Sequence, residues 1–247
     1  MTDRKTAIGR ALLLSGALVL IAGCGRVVNR TVERRIREAL PRTFGPAKEY
    51  RVHVASPMAR TLRGQLGSVT VDGDDVALPS GMVLEGLSLD LKDVDVDVKQ
   101  RRLREIKESR FRIVIRDAAV DRFLASKSPR GALVRNAHVT FGAGNSLTIR
   151  ADRTVRGETV PISAAGSLKI RDPQHVGVDL DKLSVVDAPV EGPELEIVRS
   201  KLDNAIDLSR LPIHISLTRI GTTDGTLVLE GTADLSATAQ RERSAPK

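Results

Sequence analysis

The fold is decided by the stretch Leu87-Ser88-Leu89-Asp90-Leu91-Lys92-Asp93-Val94-Asp95-Val96-Asp97-Val98. Leu87, Leu89 and Leu91 share one parity, and Val94, Val96 and Val98 share the other. Such alternation belongs to a strand, whose successive side chains point to opposite faces. The change of parity needs an extra residue, so a bulge or break is expected near Lys92-Asp93. Bulges are how a sheet is made to curve. Asp93, Asp95 and Asp97 invite a calcium reading, but an EF-hand loop needs Gly where Val98 stands, and alternating Val keeps the chain extended. The three carboxylates read as the wet face of a strand.

Strands dominate on the C-terminal side of this stretch. Phe111, Ile113 and Ile115 alternate with Arg110, Arg112 and Arg116. Asp117 then has the character of an N-cap, opening a short helix over Ala118–Ala125 with Val120, Phe123 and Leu124 inward. Strands are expected over Leu133–Phe141, Ser146–Val155, Glu158–Ile170 and His175–Val186. The Gly142-Ala143-Gly144-Asn145 and Asp172-Pro173 turn signals between them make an antiparallel meander. Gly192-Pro193 opens what reads as the longest helix after the N-terminal segment, with Leu195, Val198 and Leu202 in its apolar stripe. Leu211–Ile220 and Thr226–Leu235 form a last pair of strands, and residues 237–247 read as a disordered tail. No internal repeat stands out beyond this strand–turn–strand rhythm.

On the N-terminal side, Tyr50–Ala55 alternates as a strand. Pro57 opens a short helical stretch in which Met58, Leu62 and Leu66 lie four apart. Val27–Leu40 reads as an amphipathic helix: Val28, Val32, Ile36 and Leu40 recur every four residues, and Arg26, Arg30, Arg34 and Arg37 fall opposite. Six arginines against two glutamates between Arg26 and Arg42 give this stretch +4. Its basic face suits anionic headgroups as well as it suits plain solvent.

Residues 1–23 fit a secretory signal. Arg4, Lys5 and Arg10 precede an apolar run, Ala11–Ala22, of twelve residues. A spanning helix needs about 20. The Ala22-Gly23 pair leads into Cys24, the one cysteine of the chain, in the manner of a bacterial lipobox. Cleavage between Gly23 and Cys24 and acylation of Cys24 are therefore expected, as is an extracytoplasmic location on a lipid anchor. Two acyl chains anchor stably where one does so marginally. The domains expected are the signal, 1–23, one α+β domain over 24–236, and the tail. The formal charge is +8, of which the signal supplies +2 (Arg4, Lys5 and Arg10 against Asp3), leaving +6. Outside the cytoplasm such a charge meets anionic lipid or polymer. Five scattered rings (Phe44, Tyr50, Phe111, Phe123, Phe141) supply no stacking platform for nucleic acid.

No catalytic, metal or cofactor constellation emerges from the motifs. His53, His138, His175 and His214 stand singly on expected strands, without a second ligand at metal spacing. There is no G-x-S-x-G elbow and no phosphate loop of the Walker type. Aliphatic side chains on a curved sheet and its helices would either close as a dry core or line a groove for acyl chains, each buried CH2 being worth about 0.8 kcal/mol. Candidate lining residues are Leu62, Leu66, Phe111, Ile113, Ile115, Phe123, Leu124, Leu195, Val198 and Leu202.

Several segments taken together resemble the LmeA-like phospholipid-binding family of bacterial envelope proteins. They are Ser56-Pro57-Met58-Ala59-Arg60-Thr61-Leu62-Arg63-Gly64-Gln65-Leu66-Gly67, the step from Ile113-Val114-Ile115 into Asp117-Ala118-Ala119-Val120-Asp121-Arg122-Phe123-Leu124, the strand Asn145-Ser146-Leu147-Thr148-Ile149 with Val160-Pro161-Ile162, and the closing Leu211-Pro212-Ile213-His214-Ile215 to Leu227-Val228-Leu229-Glu230-Gly231. The likeness spans roughly residues 27–236 and rests on apolar positions, Gly and Pro. It implies an elongated α+β domain of the tubular lipid-binding kind, a long curved antiparallel sheet wrapped against helices, and phospholipid as ligand. It supplies no catalytic residue. Two other readings stay open: a structural lipoprotein with a closed core and a protein partner, and an enzyme acting on envelope glycolipid.

Overall fold

The computed structural model describes residues 28–97, 102–127, 134–155, 157–186, 188–209, 211 and 213–234. The signal segment, Gly23, Cys24, Arg26 and the tail 237–247 lie outside the described residues. Helix α1 covers residues 28–43. It is followed by β1 (Glu49–Ala55), α2 (Met58–Leu62), β2 (Gln65–Ala77), β3 (Val83–Asp97), β4 (Arg102–Arg116) and α3 (Asp117–Lys127). Then come β5 (Val134–Phe141), β6 (Ser146–Val155), β7 (Glu158–Asp172), β8 (His175–Val185), β9 (Ala188–Pro189), α4 (Pro193–Leu202), β10 (Ile206–Asp207), β11 (His214–Thr223) and β12 (Thr226–Asp234).

The strands form two antiparallel six-stranded sheets. The first runs β1-β2-β3-β4-β12-β11; the second runs β10-β8-β7-β6-β5, with β9 also on β8. This corrects the expectation of one long sheet wrapped against helices. It also corrects the helix lengths, because α1 outruns the ten residues of α4. Helix α1 continues through Pro41, since a proline in the last turn forfeits one bond and the Phe44 amide still reaches the Leu40 carbonyl at 2.8 Å.

The first sheet rolls around its own apolar side. Leu87, Leu89, Leu91 and Val94 are all buried, and the parity change between the last two falls where Asp93 takes φ 47°. β2 shifts with β3: Leu66 and Val69 are both buried across the same point, and the pairs Leu66↔Val94 and Ser68↔Lys92 keep one register. A second matched kink sits at Asp75, φ 50°, between Asp74↔Gly86 and Val76↔Leu84. Asp tolerates this left-handed region better than branched residues do. One extra residue in each of two paired strands turns the pair without unpairing it, so the inward face follows the bend. Gly73 leaves room for the Tyr50 ring, which would stand 2.8 Å from a Cβ there, while the Tyr50 hydroxyl donates to the Gly45 carbonyl at 2.8 Å. The interior is filled, with Leu227 and Leu229 at 0% exposure and Ile215 at 1%. Outside, cross-strand pairs such as Arg51–Asp74, Lys92–Glu108 and Arg112–Glu230 face water.

The longer helices guard strand edges. An edge strand leaves unpaired backbone groups that invite another chain. On β1, the Val54 amide donates to Glu33 Oε1 of α1 at 2.9 Å, and His53 Nδ1 lies 3.6 Å from the same oxygen. On β5, the Val139 amide donates to Asp121 Oδ1 of α3 at 2.7 Å, and His138 Nδ1 lies 2.9 Å from Asp121 Oδ2. On β8, α4 is bracketed by the short strands β9 and β10, and Arg199 donates to the Leu180 carbonyl at 3.2 Å. The β11 edge receives the β7–β8 turn, where the Leu217 amide reaches the Pro173 carbonyl at 2.7 Å. The first two edges repeat one device: a helix, then a strand carrying His-Val, with a helix carboxylate on both residues. Each is followed by a four-strand meander, β1–β4 and β5–β8. The chain therefore holds a structural repeat that its sequence rhythm conceals.

Candidate functional site

The second sheet, unlike the first, has an apolar face that is only partly covered. Register places Val139–Ile149–Ala164–Leu183 and Ala151–Ile162–Val185 in rows on one face. Near the first sheet this face is closed, with Phe141, Leu147, Leu168 and Val178 in the common core. Away from it the burial loosens: Ile149, Ile162, Ala164, Leu183 and Val185 are only half-buried. Alternation dictates the opposite face, where Thr148, Arg150, Asp152, Pro161, Ser163, Ala165 and Lys182 project.

That polar face carries an open cavity of about 800 Å3. It is lined by Asn136 and His138 from β5, Thr148, Arg150, Ala151 and Asp152 from β6, Pro161, Ile162, Ser163, Ala164 and Ala165 from β7, and Lys182 from β8. The volume falls within the 300–1,000 Å3 usual for small-molecule sites. β7 presents only short side chains to it, so the floor is low between longer walls on β6 and β8. Two bulges shape it. β5 shifts register between Arg135 and His138, with Asn136 at φ 51°, and the β7–β8 pairing shifts between Ala165 and Gly166. Asn136 donates to Asp152 at 2.8 Å, and His138 is held by Asp121.

The candidate groove residues are not brought together. Leu66, Phe111, Ile113 and Ile115 lie in the filled interior of the first sheet, 6% exposed or less. Leu62 is 60% exposed on α2. Phe123 and Leu124 are half-buried on α3, and Leu195, Val198 and Leu202 half-buried on α4. None of the ten lines the cavity. Arg30, Arg34 and Arg37 face solvent on α1, opposite the stripe that packs inward. His175 meets Asp172 at 2.8 Å and Asp207 at 3.4 Å, and His214 shares a hydrogen bond of 3.0 Å with Gln174. Among the described residues no group of three or more His, Cys, Asp or Glu is placed to hold a metal ion. Nor is any helix among them long and apolar enough to cross a membrane. The cavity residues escaped the sequence reading because Thr148, Arg150, Asp152, Ser163 and Lys182 read as an ordinary solvated face. The one available signal was the run of short residues Pro161, Ser163, Ala165 and Ser167 at period two.

One filled sheet beside a second sheet with a broad, partly apolar and partly cationic surface makes an architecture of paired antiparallel meanders. The chain belongs to the LmeA-like phospholipid-binding family, whose sequence profile matches residues 20–232. No curated protein and no solved structure matches the chain.

Proposed function

We propose that this protein is a membrane-anchored envelope lipoprotein that binds phospholipid without catalysis and passes it between surfaces. The observation that carries this reading is the family match, which runs through almost the whole chain. Support comes from two further features. Cys24, four residues ahead of a helix whose Arg30, Arg34 and Arg37 face outward, would place that basic face at the headgroups once acylated. The second sheet offers half-buried aliphatic rows on one face and an open cavity on the other, so an amphiphile finds both surfaces on one scaffold.

The test is made on the full chain extracted in a detergent free of phospholipid. Native mass spectrometry should find phospholipid retained, and vesicles should exchange labelled phospholipid faster when the protein is added. Protein that is always empty, with no effect on exchange, refutes the reading. Metabolic labelling with an alkynyl fatty acid should mark the wild type and not Cys24→Ser, which should leave the membrane fraction. Equal labelling of both would refute the anchor and leave lipid binding standing.

A further inference from the structure

We infer that the cavity on the polar face of the second sheet is the site for the phosphate of an anionic lipid headgroup, held between Arg150 and Lys182. The inference rests on the phospholipid reading above and assigns it a place and a recognition chemistry.

The argument begins with what surface cations elsewhere in this protein do. On the outside of the first sheet they meet carboxylates: Arg51 meets Asp74, Lys92 meets Glu108, and Arg104 meets Asp97. In the second sheet Lys169 and Arg171 share Asp179. Arg150 and Lys182 meet no carboxylate among the described residues, and neither do Lys107 and Arg110 on β4, but Arg150 and Lys182 line the cavity. Register gives Arg150 the neighbours His138 and Ser163, and gives Lys182 the neighbour Ala165. Among the described residues neither cation has an ion-pair partner, and both line the cavity. Asp152, the one carboxylate of the lining, accepts from Asn136, and the nearby Asp121 accepts from His138 and Val139. Two uncompensated cations therefore stand on either side of β7, over its short Ser163 and Ala165. Ser163 and Thr148 add hydroxyl donors. A tetrahedral anion with several acceptor oxygens meets both charges and both hydroxyls, whereas a neutral ligand leaves the charges unanswered.

One apolar side chain turns this from a phosphate site into a lipid site. Val186 is 57% exposed, with φ 49°, and its amide donates to the carbonyl of Pro161, a lining residue, at 3.0 Å. A large apolar group beside a cationic hollow suits a ligand whose phosphate continues into hydrocarbon.

The test compares Arg150→Gln with Lys182→Gln in one chain against a control that removes the same charge from β4, Lys107→Gln with Arg110→Gln. The probes are glycerol 3-phosphate, inorganic phosphate, and phosphatidylcholine vesicles with or without phosphatidylglycerol. Wild type and control should bind glycerol 3-phosphate alike and prefer the anionic vesicles. The cavity variant should lose about tenfold or more in both assays while melting like wild type. Three results overturn the inference: equal binding by the cavity variant, equal loss by the control, or inorganic phosphate binding as well as glycerol 3-phosphate with no preference for anionic vesicles. Wild-type protein that retains phospholipid while showing any of these keeps the phospholipid reading and loses the site. Wild type that binds no lipid of either kind loses both.

Discussion

Replacing Asp121 by Ala should loosen the β5 edge by an amount that can be worked from its bonds. Asp121 accepts from the Val139 amide at 2.7 Å and lies 2.9 Å from His138 Nδ1. Hydrogen bonds to a charged group contribute about 1.5–3 kcal/mol when sheltered. The Asp121 side chain is 26% exposed and His138 68%, so the His138 contact is largely screened and the amide bond carries most of the effect. Val139 is 7% exposed, so its freed amide carries part of the penalty for an unpaired donor. The net cost is then about 1–2 kcal/mol. In a domain of this size that lowers the melting temperature by roughly 3–6 °C. Asp121→Asn keeps an acceptor and should lose less than Asp121→Ala. Glu33→Ala should cost a similar amount at β1, since Glu33 accepts from Val54 at 2.9 Å with 17% exposure. Calorimetry measures the melting temperatures, and hydrogen exchange at the Val54 and Val139 amides locates the effect. If both alanine variants melt with the wild type and neither amide exchanges faster, the carboxylates do not hold the edges and the reasoning fails.

Two further outcomes follow from packing and charge. A Cβ on Gly231 would stand 2.1 Å from the Ser216 carbonyl oxygen and 2.8 Å from the Phe111 ring. Gly231→Ala should therefore cost about 3 kcal/mol or more in a urea titration, whereas Gly86→Ala, whose nearest contact would be Val114 at 3.7 Å, should leave the midpoint near wild type. The Lys169 ammonium, and Arg171 after it, holds Asp179 below the usual carboxylate range. A folded-state value below the unfolded one gives stability that is present above the ordinary carboxylate value and lost as pH falls through the folded one. The melting temperature should thus drop as pH falls below about 4, and Asp179→Asn should make that drop shallower.

Strand placement was legible because β-branched and leucine alternation leaves little choice of period. The meander β5–β8 lies within two residues of its expected bounds, and the expected break near Lys92-Asp93 is the left-handed Asp93. Partition into two sheets was not legible. It depends on β12 pairing with β4 across more than a hundred residues, a choice that no local pattern encodes. The duplicated edge device was hidden for a related reason. Glu33 and Asp121 sit 20 and 17 residues before the His-Val pairs they hold, and two matched residues in each half make no sequence repeat. The inward apolar residues were mostly read correctly as apolar faces. Whether such a face is filled or open depends on curvature and on what lies opposite, so Phe111 and Ile113 proved to be core.

The two meanders differ in how their irregularities are placed. In the first, matched kinks at Asp75 and Asp93 let both strands of a pair turn together, and the sheet curls until its own leucines and valines meet. Its interior side chains are buried against one another in one core. The first also has one single shift, at Asp95/Val96 of β3 against β4, whereas in the second every irregularity falls singly, at Asn136 in β5 and at the Ala165/Gly166 and Ile170/Asp172 shifts of β7 against β8. A single bulge rotates one strand against its neighbour instead of bending both, so the sheet is re-aimed locally and its apolar end stays half-covered. The short side chains of β7 then matter on both faces. Ala164 leaves the aliphatic rows shallow, and Ser163 with Ala165 leaves the opposite side hollow. A closed meander can support an open one because stability need not come from the half whose faces stay uncovered.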